Sequence, residues 1–198
     1  MKIGVLALQG DVIEHIEILR ECGVIPVEVR APPDLKGISG LIIPGGESTT
    51  IGKLMQRAGL DTKLIEMSRH NFPIFGTCAG AILLAKEIRE SDQYKLGIMD
   101  ISIRRNAYGR QLDSFVANIP IPALGIENLK AVFIRAPIID CVGKDVRVLA
   151  AHDGNRILAR QGNILVSTFH PEIAGDTRVH EYFVGMVHKN YNSCCKPS

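Results

Sequence analysis

Three short stretches of this chain are apolar along their length and end abruptly. The strand expected over Lys2–Leu8 stops at Gln9-Gly10-Asp11, Leu41-Ile42-Ile43 stops at Pro44-Gly45-Gly46, and Pro73-Ile74-Phe75 stops at Gly76. A strand with one wet face alternates polar and apolar residues, so a strand apolar throughout must be covered on both faces. The segments between these runs supply the cover. Val12, Ile13, Ile16 and Leu19 recur at helical spacing after the first run. A helix is expected to begin near Ser48 or Thr49, either of which suits an N-cap, and another over Ala79–Glu87. With Ile25–Val29 as a further strand and Pro32-Pro33-Asp34 as a loop, the pattern is that of a parallel sheet wound on both sides by helices.

The second half changes character. Ile98–Arg104, Phe115–Ile119, Ala131–Arg135, Val146–Ala151, Arg156–Arg160 and Ile164–Phe169 read as strands with few helices between them, before a last helix from about Arg178 to Lys189. The expectation is a three-layer, doubly wound α/β fold with a mostly parallel central sheet and antiparallel additions. Its 198 residues suit a single domain over residues 1–198, with about 191–198 as a flexible tail. An apolar share of 46% excludes an intrinsically disordered chain. A net charge of +2 is too small to point to nucleic acid or an anionic membrane, and no apolar run reaches the roughly 18 residues of a membrane span. The five cysteines form no CxxC pair and show no zinc-ligand spacing, which fits reduced thiols in the cytosol without a metal. Cys22 and Cys141 read as buried apolar cysteines, and Cys194-Cys195 as part of a frayed end.

Cys78 stands apart. Gly76-Thr77-Cys78-Ala79-Gly80 follows an apolar strand and opens a helix, with the Gly-x-nucleophile-x-Gly spacing of a nucleophile elbow. Such a turn points its central side chain into the cleft at a strand end, and a helix N-terminus behind a thiol favours thiolate. A cysteine nucleophile needs a base, and the base needs an acceptor to orient it. His170-Pro171-Glu172 ends the last strand, and in extended chain residues i and i+2 project to one side, so Glu172 can orient His170. His15, His70, His152, His180 and His188 have no such partner and read as surface or helix-end residues.

Pro44-Gly45-Gly46-Glu47-Ser48-Thr49-Thr50 also lies at a strand end. It is compatible with a plain tight turn, with an anion cradle lacking the lysine of a P-loop, or with half of an oxyanion hole. In the last case the donors are the backbone N–H groups of Gly46 and Ala79. Arg105 and Arg135 are each either a carboxylate fork or a solvated charge.

Together these motifs resemble the class I (triad) glutamine amidotransferases, whose architecture is flavodoxin-like. Ile3–Asp11, Pro44–Thr50, Phe75–Gly80, Arg105–Gln111, Phe133–Pro137 and Phe169–Glu172 are similar to the subfamily of glutaminase subunits of pyridoxal 5'-phosphate synthase. The resemblance runs from the first strand to the last helix. It implies a Cys78-His170-Glu172 triad that hydrolyses L-glutamine to glutamate and ammonia, with an oxyanion hole at Gly46 and Ala79. It places the glutamine at Gly46, Glu47, Ser48, Arg105, Ile134 and Arg135. It further implies no cofactor and a cytoplasmic setting. The implied partner and ammonia acceptor is a (β/α)8-barrel synthase subunit, within a large hetero-oligomer. In this family the glutaminase rests until the synthase docks, so a misaligned Gly45-Gly46 loop is expected in the free protein. The competing readings are a glutaminase subunit of another pathway, such as that of imidazole glycerol phosphate synthase, a cysteine hydrolase or chaperone-like protein of related fold, and a non-catalytic subunit.

Overall fold

The computed structural model describes residues 1–105 and 114–194. The part of the arginine motif over 106–111 and the end of the tail from Cys195 lie outside the described residues. The first half alternates as the apolar runs require: β1 (Lys2–Leu6), α1 (Val12–Glu21), β2 (Ile25–Val29), β3 (Gly40–Ile43), α2 (Ser48–Ala58), α3 (Leu60–Arg69), β4 (Ile74–Thr77) and α4 (Ala79–Leu84). A run of strands follows: β5 (Ala85–Ile88), β6 (Met99–Arg104), β7 (Ser114–Ile121), β8 (Ile126–Ile134), β9 (Ile138–Val142), β10 (Arg147–His152), β11 (Asn155–Gln161) and β12 (Ile164–Ser167). Helix α5 (Arg178–Cys194) is the last of the described elements.

Among the described residues ten strands form one sheet in the order β2-β1-β3-β4-β12-β11-β9-β6-β5, with β10 paired to β11; β7 and β8 form a separate hairpin. The five strands from β2 to β12 run parallel. From β12 onward the neighbours β11, β9 and β6 are antiparallel, and β5 rejoins parallel to β6. The sheet divides the apolar residues into two cores. Leu41, Ile43, Ile74 and Val166 meet α2, α3 and α4 on one face. Ile42, Phe75 and Leu165 meet α1, α5 and the β7–β8 hairpin on the other. Alternate residues of a single strand therefore enter opposite cores, as expected for strands apolar throughout.

The structure corrects several local expectations. Neither Ser48 nor Thr49 caps α2. Glu47 does, its carboxylate accepting from the backbone N–H of Thr49 at 3.2 Å and of Thr50 at 2.6 Å. The helix after Cys78 ends at Leu84, not Glu87, because Ala85–Ile88 turns extended and pairs with β6, burying Ala85 and Ile88 while Lys86 and Glu87 face solvent. Gly59, at φ +68°, divides the helical region before β4 into α2 and α3. Strand β9 had no signal of its own, and α5 continues past Lys189 to Cys194. Cys141 is exposed on β9 rather than buried, with the Arg89 guanidinium 3.7 Å from its sulfur, and Cys22 is only half-buried.

Candidate active site

The pairing of β4 with β12 creates the site. Parallel register sets Ser167 beside Thr77, so the chain leaving each strand's carboxyl end enters the same cleft. Cys78 leaves β4 with its N–H bonded to the Ser167 carbonyl at 2.8 Å, and His170 leaves β12 with its N–H bonded to the Val132 carbonyl on β8 at 2.8 Å. Cys78 adopts φ +45°, ψ −98°, a strained conformation for a residue with a Cβ and the one a nucleophile elbow imposes. The two flanking glycines permit it. A Cβ on Gly76 would sit 2.6 Å from the Gly80 backbone, and one on Gly80 would run into the Ile43 carbonyl. Strand, turn and helix thus pack backbone to backbone around the thiol.

His170 is buried, with Nδ1 2.8 Å from Glu172 Oε1 and 3.2 Å from Asp11 Oδ2. That leaves Nε2 to meet the thiol. Burial opposes the imidazolium charge, but hydrogen bonds with Asp11, Cys78 and Glu172, and the Glu172 charge, outweigh it and push His170 up to about 12. Glu172 is fully enclosed. Desolvation works against its charge, yet His15 and His170 hold the carboxyl well below the usual range. The ring and its acid therefore form a buried, charged pair at the edge of the cleft that Cys78 lines.

Gly46, Glu47, Ser48, Cys78, Arg105, Ile134, Arg135 and His170 line one cleft of about 340 Å³, together with Gln9, Asp11 and Ile82. Glu172 lies behind His170, and Ala79 is the buried first residue of α4. The Ile134 carbonyl is 4.0 Å from the Cys78 sulfur, and Arg135 turns the chain at φ +42°. The glycine loop is held from the β1 side: Gly45 O accepts from Asp11 N–H at 3.2 Å, and Gln9 Oε1 accepts from Glu47 N–H at 2.8 Å. Burial raises the Glu47 carboxyl but hydrogen bonds from Thr50 and Thr49 outweigh it, keeping the group ionised opposite Arg105, 3.8 Å away. Asp11, His170 and Glu172 bring ligand-type atoms within 4.8 Å of one another, but there the His170 Nδ1–H already joins the carboxylates.

Gln93, His15 and His180 belong to no catalytic motif in the sequence, and Asp11 enters only as the end of the Ile3–Asp11 stretch that resembles the subfamily. Gln93 joins the Arg105 side of the cleft: its Oε1 accepts from Arg105 at 2.6 Å and its amide meets the Ser48 hydroxyl at 3.1 Å. Asp11 adds a second carboxylate to His170. His15 and His180, expected at the surface or at helix ends, are wholly buried behind Glu172. Their place on apolar faces was available: His15 falls between Val12 and Leu19 on the face α1 buries, and His180 beside Val179 and Phe183 on α5. His152, also expected at the surface or a helix end, lies on β10 and stacks at 6.0 Å on Phe133.

The model of the SNO glutamine amidotransferase family matches residues 5–189. Relatives named pyridoxal 5'-phosphate synthase subunit PdxT include the protein of Pelotomaculum thermopropionicum, 54% identical over 93% of this chain and 94% of its own length. The Brevibacillus brevis protein is 52% identical over 98% of this chain and all of its own. The Thermotoga maritima protein is 50% identical over 94% of this chain and all of its own. A crystal structure described as a glutamine amidotransferase superposes with TM-score 0.90 at 44% identity, covering 94% of this chain and 98% of that one. The crystal structure of a proposed GMP synthase component from Thermoplasma acidophilum shares the fold at TM-score 0.71 and 18% identity, covering 99% and 98%. Among the described residues no helix is long and apolar enough to cross a membrane. With a family model over most of its length and relatives at half identity or better, this chain belongs to the SNO glutamine amidotransferase family.

Proposed function

We propose that this chain is the glutaminase subunit of a pyridoxal 5'-phosphate synthase, a single glutamine amidotransferase domain over residues 1–198 that acts in the cytoplasm. The observation that carries this reading is a strained Cys78 at a strand end, facing a buried His170 that is itself held by Glu172 at 2.8 Å. The Cys78 thiolate attacks the side-chain amide carbon of L-glutamine. The oxygen of the tetrahedral adduct takes its hydrogen bonds from the N–H groups of Gly46 and Ala79; one such donor contributes about 10²–10³ in rate. His170 protonates the amide nitrogen, the C–N bond breaks, and ammonia leaves a γ-glutamyl thioester on Cys78. Water then gives a proton to His170 and attacks the thioester, releasing glutamate and the thiol.

Glu47, Ser48, Arg105, Ile134 and Arg135, with Gly46, hold the glutamine. An ionised Glu47 suits the α-ammonium and the Arg105 fork suits the α-carboxylate. Ammonia passes to a (β/α)8-barrel synthase subunit that builds pyridoxal 5'-phosphate from a pentose phosphate and a triose phosphate. The Gly45-Gly46 peptide is the natural gate. Being planar, it carries Gly45 O and Gly46 N–H together, so any rotation that re-aims the Gly46 donor also moves Gly45 O relative to the Asp11 N–H that bonds it.

Ammonia release from glutamine, with and without the synthase subunit, tests the reading. Ammonia that needs the synthase and vanishes in Cys78→Ala supports triad and gate together. Release without the synthase overturns the gate, and release that persists in Cys78→Ala overturns the triad.

A further inference from the structure

Glu172 uses one oxygen. His170 Nδ1, Thr77 Oγ1 and His15 Nε2 all converge on Oε1, at 2.8, 3.4 and 3.5 Å, while Oε2 is buried without a partner among the described residues. Behind that oxygen lies a set of buried polar groups for which the reaction has no direct use. His15 Nε2 is 3.1 Å from Thr77 Oγ1, and His15 Nδ1 is 2.9 Å from His180 Nε2. Thr77, His15 and His180 expose no surface, and Phe75 closes edge-on over His180 at 5.7 Å. Leaving such groups half-satisfied is costly, so the proton positions in the chain are strongly constrained.

They can be assigned from one end. Glu172 is a carboxylate and accepts from His170, so the group nearest Oε1 from behind must also donate. That makes Thr77 a donor to Glu172, and the same hydroxyl an acceptor from His15 Nε2–H. A lone pair on His15 Nε2 would instead face both the carboxylate and the hydroxyl oxygen. With Nε2 protonated in a neutral ring, His15 Nδ1 is an acceptor and His180 Nε2–H must donate to it. His180 Nδ1, which has no partner among the described residues, is then a bare lone pair and not an orphaned N–H. The alternative, a cationic His15, puts that orphaned N–H on His180. Burial holds His180 down to about 3, consistent with a neutral ring.

We propose that Thr77, His15 and His180 are positioning residues, a one-way hydrogen-bond chain from His180 through His15 and Thr77 that fixes Glu172 Oε1 as the acceptor for His170. The inference rests on the glutaminase reading for its catalytic consequence but not for its geometry. Three elements contribute: α5 gives His180, α1 gives His15, and the elbow itself gives Thr77. The nucleophile's own strand thus helps to hold the acid that orients its base.

Two measurements test it. In protein labelled with 15N-histidine at pH 7, His15 and His180 are expected as neutral rings with protons on Nε2. A doubly protonated His15, or either ring carrying its proton on Nδ1, overturns the chain. In the complex with the synthase, Thr77→Val, nearly the same shape without the hydroxyl, is expected to lower kcat for glutamine hydrolysis about tenfold with KM within twofold. Thr77→Ser should keep kcat near wild type. Equal kcat for Thr77→Val and wild type overturns the chain while leaving the triad intact, provided Cys78→Ala is dead in the same assay. Loss of kcat in Thr77→Val and Thr77→Ser alike also overturns it, since the hydroxyl is then not what matters. If Thr77→Val does not fold, the ring spectra of the wild-type protein decide alone. A wild-type complex that releases no ammonia overturns the glutaminase reading and the relay's role in it, whatever the spectra show.

Discussion

The two flanks of Cys78 are built differently. Behind His170 the polar groups are sealed: the side chains of His15 and Glu172 have no exposure, and Thr77 and His180 are equally buried. Across the cleft, Glu47 and Arg105 keep 51% and 34% of their side chains in solvent and meet only at 3.8 Å. In the dry flank a misplaced proton or charge is severely penalised, so a few groups define one arrangement. In the wet flank the same charges are screened and weakly coupled, so the groups can follow a substrate as it enters and leaves. In the proposed mechanism the chemistry draws on the buried side and substrate recognition on the exposed side.

The largest effects should come from the centre and the dry flank. Replacing Cys78 by Ala should lower glutamine hydrolysis by about 10⁴-fold or more, with His170→Ala adding little to it, because groups acting as a unit are not additive. Glu172→Gln should lower kcat by about 10²–10⁴-fold by freeing the His170 tautomer. Asp11→Asn, on the part-exposed side of the same Nδ1 at 3.2 Å, should cost less than about tenfold in the same stopped assay. Equal losses for the two carboxylates would erase the contrast between the flanks.

Stability should carry the mark of the sealed flank as well. His180 takes up its proton near 6.5 when unfolded and near 3 when folded, so below 6.5 the unfolded chain binds the extra proton. Wild-type stability therefore falls as pH drops from about 6.5, by at most about 1.4 kcal/mol per pH unit from this group. Thermal melts of His180→Gln between pH 6.5 and 4.5 should show a shallower slope than wild type. His170 does not interfere in that window, since it stays protonated in the fold until pH approaches about 12 and its contribution declines only above 6.5. The smallest effect should lie on the wet flank. Gln93→Ala, which frees Arg105 and Ser48 from the amide that links them, should raise KM for glutamine about threefold to tenfold and leave kcat within about twofold.

What could be read from the sequence follows the same division of burial. Strands β1, β3 and β4 are legible because burial on both faces leaves them apolar but for Lys2 and Thr77 at their ends, and the Gly76-Thr77-Cys78-Ala79-Gly80 turn is legible because its backbone tolerates so little else. His170 and Glu172 are two residues apart and need only local geometry. Strand β9 is different: Asp140 and Cys141 face partly outward and its pairing to β11 is a single residue pair, so little in its own composition marks it. His15 and His180 meet across 165 positions of sequence, and only the packing of α1 and α5 on one face of the sheet brings them together. Gln93 likewise acquires its role from contacts with Ser48 and Arg105 on other elements. Glu47 caps α2 although Ser and Thr are the better caps in isolation, because its carboxylate reaches two N–H groups and the Thr50 hydroxyl at once.

The central claim is that Cys78 becomes covalently acylated by glutamine. Mixing the chain and its synthase partner with glutamine, quenching in acid within a turnover, and analysing the peptides by mass tests this directly. The account predicts a glutamyl thioester on the peptide carrying Cys78, absent from Cys78→Ala. Ammonia released with that peptide unmodified at every quench time, and with Cys78→Ala still active, would contradict it.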